Sequence, residues 1–203
     1  VVEFLQAEGM VTEGDDLRAT SFGKRVSDVY IDQKSAVVLR DALKAYKDGR
    51  EFGLLHAVCS TPDMGLLYMR QSDYEWVEEF LDSVKDQLLI DAPVDLGDYE
   101  FYLSTLKTAK LVSDWISEKP ENDIAEGFGI GPGDIRNKME MAEWLTHATA
   151  RLSGLFNESA VPPMSELSVR VMYGIRPELL ELVKLRGIGR VRARALYDRG
   201  VKG

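Results

Sequence analysis

Apolar residues recur along this chain at steps of three and four, the period of helices that bury one face. Residues 1–9 read as a helix end stopped by Gly9. Residues 21–31 keep the period through Phe22, Val26, Val29 and Tyr30. Helices are predicted over 35–46, broken at Asp48-Gly49, and over 52–59, ended before Thr61-Pro62-Asp63. Ser72-Asp73-Tyr74-Glu75 reads as a capping box, with Trp76, Phe80, Val84 and Leu88 following at steps of four. Residues 99–117 repeat the pattern through Phe101, Leu106, Ala109 and Trp115. A short helix near 123–126 leads into the glycine-rich 127–133 and then the longest periodic stretch, 134–156. Val161-Pro162-Pro163 reads as a linker, and helices over 165–173, 178–185 and 190–199 close the chain.

One segment departs from this period. Met10-Val11-Thr12, the polar Glu13-Gly14-Asp15-Asp16 and Leu17-Arg18-Ala19-Thr20 predict a β-hairpin. Helix, hairpin, helix is the back half of a winged helix. The expected fold is mainly α: a helical bundle, flanked by the end of a winged helix with one β-hairpin and by a helix–hairpin–helix.

The helix at 134–156 carries two faces. Ile135, Met139, Ala142, Leu145, Thr149, Leu152 and Phe156 make one apolar stripe. Trp144 lies about 140° from the centre of that stripe, among Arg136, Asn137, Glu140, Glu143, His147 and Arg151. Two explanations stand for a Trp there: stacking on an unpaired base, which tolerates any sequence, or packing against a neighbouring domain. The second constellation is Leu185-Arg186-Gly187-Ile188-Gly189-Arg190-Val191-Arg192-Ala193. Gly187 and Gly189 permit a tight turn between short helices, and small Ala193 lets them approach. Backbone N–H groups at the start of the second helix can then hold a phosphate. Such a module grips the sugar-phosphate backbone without reading bases.

Charge sharpens this picture. The net charge of −9 argues against nucleic acid at first sight. Yet residues 182–203 hold seven basic residues (Lys184, Arg186, Arg190, Arg192, Arg194, Arg199 and Lys202) and one acid, Asp198. That tail is +6 and the remainder −15, so an anion-binding surface is expected at one end. Composition excludes other classes. A hydrophobic content of 45% is that of a packed domain. No apolar run approaches the ~18–20 residues of a membrane helix, and with Glu3, Gln6 and Glu8 in the opening stretch no signal peptide is expected there. A single cysteine, Cys59, excludes an internal disulfide and fits a reducing compartment. The chain opens inside an apolar helix-like stretch and stops just past a helix, so it is expected to be a piece of a longer protein.

Several chemistries are not encoded. There is no Gly-x-x-x-x-Gly-Lys-Ser/Thr phosphate loop. Neither Gly127-x-Gly129 nor Gly187-x-Gly189 completes a dinucleotide fingerprint, since Pro132 and Arg192 stand where the third glycine belongs. His56 and Cys59 have the spacing of half a metal site but no second pair, and read as a packed His and a buried Cys. No catalytic pair, nucleophilic triad or bound metal is predicted.

Taken together, these residues resemble the C-terminal half of the archaeal superfamily 2 DNA helicases related to the helicase part of DNA polymerase theta. The resemblance rests on Leu17-Arg18-Ala19-Thr20 with Gly23-Lys24, Tyr30-Ile31-Asp32, Leu55-His56, Thr61-Pro62-Asp63-Met64, Ile130-Gly131-Pro132-Gly133-Asp134-Ile135, Ala142-Glu143-Trp144-Leu145 and Ile188-Gly189-Arg190-Val191-Arg192-Ala193-Arg194. It implies a winged-helix end over 1–34, a helical ratchet domain over 35–160 and a truncated helix–hairpin–helix domain over 165–203. It implies a DNA-binding accessory fragment of an ATP-dependent 3′–5′ DNA helicase, gripping and ratcheting single-stranded DNA for unwinding in replication-fork repair. ATP and Mg would belong to motor domains upstream. Trp144 matches the aromatic of the ratchet helix. The basic position two turns earlier falls on Asn137, with Arg136 beside it. The implied nucleic-acid-binding residues are Trp144, Arg136, Asn137, His147, Arg151, Lys184, Arg186, Gly187, Gly189, Arg190, Arg192 and Arg194. Single-stranded or forked DNA is the expected partner, with replication or repair proteins as further candidates. No membrane partner is expected, and the setting is cytoplasmic and nucleoid-associated. Two other readings compete. One is a helical protein-interaction or autoinhibitory module, favoured by the −15 body. The other is a helix–hairpin–helix repair glycosylase, which would need a catalytic Asp or Lys after the hairpin.

Without a phosphate loop the chain alone should hydrolyse no ATP. A phosphate-release assay with and without oligonucleotide checks this, and DNA-stimulated turnover would contradict it.

Overall fold

The computed structural model describes residues 1–14 and 16–202. Asp15, in the expected hairpin turn, and Gly203, at the end of the expected helix–hairpin–helix, lie outside the described residues. Those residues form eleven α-helices. They are α1 (Val2–Ala7), α2 (Ser21–Val29), α3 (Gln33–Ala45), α4 (Glu51–Cys59), α5 (Tyr74–Val84), α6 (Leu96–Ile116), α7 (Glu121–Phe128), α8 (Pro132–Phe156), α9 (Val161–Tyr173), α10 (Leu180–Val183) and α11 (Arg190–Tyr197).

The expected β-hairpin is not formed. Between α1 and α2 there is one antiparallel bridge, Val11 to Ala19, and no strand among the described residues. The Thr12 side chain explains the arrest. Its amide donates to Arg18 O (2.9 Å), but the return bond from Arg18 N goes to the Thr12 hydroxyl (3.0 Å), not to its carbonyl. That hydroxyl also donates to Asp16 O (2.9 Å), so the side chain closes the loop where another ladder pair would sit. Three further expectations are corrected. The box before α5 is shifted: the Asp73 carboxylate accepts from Arg70 N (2.7 Å), while α5 itself has no side-chain cap. Pro162 and Pro163 are not a linker but the first turn of α9, where a missing N–H breaks no helical bond. Phe101, placed on the inward face of its helix, is 53% exposed, and Tyr102, Leu103 and Leu106 face the core instead.

The main core draws on residues from Met10 to Val171, so α2 and α9 share it with the bundle. Its centre is α4, buried from Phe52 through Cys59 and packed on α3, α6 and α8. A smaller core of Ile175, Leu179, Leu182, Val183 and Ala193 holds α10 and α11.

Two polar groups are buried in this apolar mass. Lys107 on α6 is 1% exposed, with its ammonium 2.5 Å from Asp73 and donating to Tyr68 O (2.8 Å). Asp73 also accepts from Arg70 N and from the Trp76 indole (3.3 Å). Burial alone would push the Asp73 carboxyl up, but Lys107, the Arg70 amide and the Trp76 indole together hold it below its usual range. His56 on α4 contacts Thr105 Oγ1 through Nε2 (2.9 Å), while Nδ1 has no partner. Burial pushes its pKa down to about 4, so the ring is neutral.

The unfolded chain therefore binds more protons than the folded one as pH falls below the ordinary His value of ~6.5. The His56 contribution is intact above that value and is lost on the way to about 4, on the order of 2 kcal/mol by pH 5. The depressed Asp73 carboxyl adds a further loss at lower pH, in the same direction. Urea melts at pH 7, 6 and 5 measure it; a stability flat over that range would contradict it. Asp73→Asn strands Lys107 as a buried charge and should cost about 3–5 kcal/mol in the same assay at pH 7.

Candidate nucleic-acid interface

Helix α8 begins on Gly131, with Pro132 in its first turn and the Asp134 carboxylate reaching back to Gly131 N (3.0 Å). Its 25 residues run for about 37 Å. The apolar stripe falls where the spacing puts it: Ile135, Met139, Ala142, Leu145, Thr149 and Leu152 are buried, and Phe156 packs against the core. Opposite, Asn137, Glu140, Trp144, His147 and Arg151 are exposed along one line. Arg136 flanks that line and pairs with Glu140 (2.9 Å) at an open surface, a contact worth under about 1 kcal/mol that leaves the guanidinium available.

Trp144 is neither free nor buried. It is 37% exposed, and its indole N–H donates to Val29 O (3.1 Å), an end carbonyl of α2 that has no partner within its own helix. Helix α2 lies along α8 through three contacts. Phe22 meets Phe156 edge-on at 4.9 Å, Arg25 donates to Arg151 O (2.7 Å), and Val29 receives Trp144. The contacts of Arg25 and Val29 with α8 escaped the sequence reading, which placed Val29 only in the apolar period of its own helix, because a contact spanning more than a hundred residues leaves no mark in helical spacing.

The second constellation splits. Gly187 has φ +80°, a conformation that favours glycine, and its carbonyl accepts from Arg192 (2.8 Å), which closes the turn. Gly189 caps α11, and Ala193 is fully buried. Lys184, Arg186 and Arg192 are exposed, Lys184 beside Glu181 (2.5 Å). Arg190 and Arg194 are engaged inward. Arg190 donates to Lys119 O (2.7 Å), and its guanidinium lies 4.7 Å from the centre of the Trp115 ring. Burial lowers its pKa. Arg194 pairs with Glu118 and with Glu178 (2.7 Å), and these carboxylates raise its pKa. Arg176 adds a bond to Ser117 O (3.0 Å). Three arginines thus fasten this module to the C-terminal end of α6, where exposed carbonyls favour cations. Of the seven cations of the basic tail, five are exposed: Lys184, Arg186, Arg192, Arg199 and Lys202.

A groove of about 370 Å³ runs from Arg136, Glu140 and Glu143 on α8 to Trp115 and Met172, linking the flank of α8 to the seam where Arg190 stacks. Among the described residues no group of three His, Cys, Asp or Glu could hold a metal, and no helix is long and apolar enough to cross a membrane.

Comparison with known proteins bears on this arrangement. Residues 52–174 match the family model described as archaeal helicase, domain 4. That segment contains all of α8 and, of its packing partners, α6, α7, α9 and α4 from its second residue; α2 and α3 precede it. The ATP-dependent DNA helicase Hel308 of Methanocella arvoryzae is 46% identical over 98% of the chain. The Thermococcus kodakarensis protein of the same name is 38% identical over 91%. The chain spans 28% and 17% of the lengths of these two relatives. With more than half its residues inside that family model, and with the long two-faced helix wholly within the match, the chain belongs to the archaeal helicase domain 4 family.

Proposed function

We propose that this chain is the DNA-gripping part of an ATP-dependent 3′–5′ DNA helicase, which holds and ratchets single-stranded DNA for unwinding in replication-fork repair. ATP and Mg would act in motor domains elsewhere in that protein. The single observation that carries the reading is the exposed line on α8, where a partly open Trp stands among Asn137, His147 and Arg151 on a helix fixed by its opposite face. Residues 1–34 then end a winged helix, 35–160 form the ratchet domain and 165–203 the helix–hairpin–helix. The two relatives, both named as ATP-dependent DNA helicases, support the assignment.

In this account Trp144 stacks on a base, which fits any sequence. Asn137, Arg136, His147 and Arg151 offer donors to bases and phosphates on either side. The turn at Gly187–Gly189 presents the N–H groups at the start of α11 to the backbone, with Lys184, Arg186 and Arg192 around it. Arg190 and Arg194 act indirectly, by fixing that module to α6.

Trp144→Ala should weaken binding to an oligothymidylate by ~1–3 kcal/mol. It should lower stability by ~2–4 kcal/mol, the loss of one hydrogen bond and of the buried part of the ring. Anisotropy titration beside thermal melting reads both; a variant that melts far earlier but binds as before would sink the stacking role. Removal of exposed cations is read differently. Arg186→Ala and Arg192→Ala should each lower the salt slope by about 0.7, whereas Arg194→Ala should lower the melting temperature and leave the slope nearly unchanged. Equal slopes in all three variants would move the contacts elsewhere. Absence of any oligonucleotide binding at low salt would favour the protein-interaction reading suggested by the acidic body.

A further inference from the structure

Tyr30 is the residue whose conformation the chain's own packing leaves unexplained. It caps α2 in the left-handed region, φ +58°, which costs an ordinary L-residue roughly 1–2 kcal/mol. Elsewhere the chain puts glycine at that place. α7 ends at Gly129 (φ +58°) and α9 at Gly174 (φ +64°), and a Cβ there would also strike Arg70 or Trp115. The other left-handed non-glycine residue among those described, Glu118 (φ +63°), gains its ion pair with Arg194. Tyr30 gains nothing comparable: its side chain is 86% exposed, with no hydrogen bond or ring contact among the described residues. Strain held without internal return points to function.

Its position says which function. Tyr30 directly follows Val29, whose carbonyl receives the Trp144 indole. Two partly or fully exposed aromatic residues therefore flank one hydrogen bond at the junction of α2 and α8. Asp28 and Asp32 stand near Lys34 there, all exposed, so local charge does not attract a phosphate backbone. What the place offers is a ring face, and past it a shallow groove lined by Leu5, Met10, Val11 and Ser27. We infer that Tyr30 is a second base-stacking residue, which takes a nucleotide next to the one on Trp144 and leads the single strand from α8 onto α2. The inference rests on the proposed single-strand reading and deepens it.

Glycine at position 30 makes the test clean, because it relieves the backbone while deleting the ring. The variants are Tyr30→Gly, Tyr30→Phe and Trp144→Ala in this chain, and the probe is fluorescein-labelled oligothymidylate at low salt. Tyr30→Gly should melt no earlier than the parent, yet bind the oligonucleotide at least about five-fold more weakly. Tyr30→Phe should rescue the loss, since stacking needs the ring and not the hydroxyl. Tyr30→Gly with parental affinity, beside a weakened Trp144→Ala, overturns the inference and leaves the single-strand reading intact. An earlier melt of Tyr30→Gly also overturns it, by showing that the ring packs. Parental affinity in both variants, or no binding by the parent, overturns the two together.

Discussion

The buried stripe of α8 is the constraint on which the rest depends. Helix α8 packs beside α2, α3, α4, α6, α7 and α9, so most of the bundle is organised against one helix. A 25-residue helix held along one face cannot roll, and its opposite face is therefore presented at fixed spacing. Exposed residues at steps of three and four then lie along a line about as long as a few stacked nucleotides. Position, not flexibility, is what such a surface supplies.

Charge is divided between holding and offering. An acidic body with a basic end suggests that every arginine of the tail faces outward. Instead Arg190 and Arg194, joined by Arg176 from before the tail, close on the carbonyls and the Glu118 carboxylate at the end of α6. Buried or stacked guanidinium groups of this kind fix one module to another. The same economy occurs at α2, where the Trp144 indole serves both as a cap for Val29 O and as the aromatic of the exposed face. At the α2 joint one residue, Trp144, both caps a helix and stands on the exposed face, whereas at the α6 joint the holding arginines and the exposed ones are different residues.

Much of this was legible in the residues. Periodicity placed every major helix, because burial of one face leaves a 3.6-residue mark. It placed the stripe of α8 residue by residue, and the lack of a second Cys/His pair put His56 and Cys59 inside. It failed where side chains compete with the backbone. Thr12 turned an expected hairpin into one bridge, and Asp73 moved a cap by recruiting Arg70 N. Two prolines looked like a linker but open a helix, since the first turn needs no N–H bonds. At the candidate site the line on α8 was legible, and the destiny of each arginine was not. Arg190 and Arg192 are two residues apart with the same chemistry; which one faces inward depends on Lys119 and Trp115, far away in sequence. The seat of Trp144 on α2 was hidden for the same reason.

The central claim is that a single strand lies along the exposed face of α8. Photo-cross-linking with an oligonucleotide carrying 5-iodouracil, followed by peptide mapping, tests it most directly. Cross-links should concentrate on the peptide containing Trp144 and His147. Cross-links confined to the basic tail beyond residue 182, with none on α8, would contradict the account.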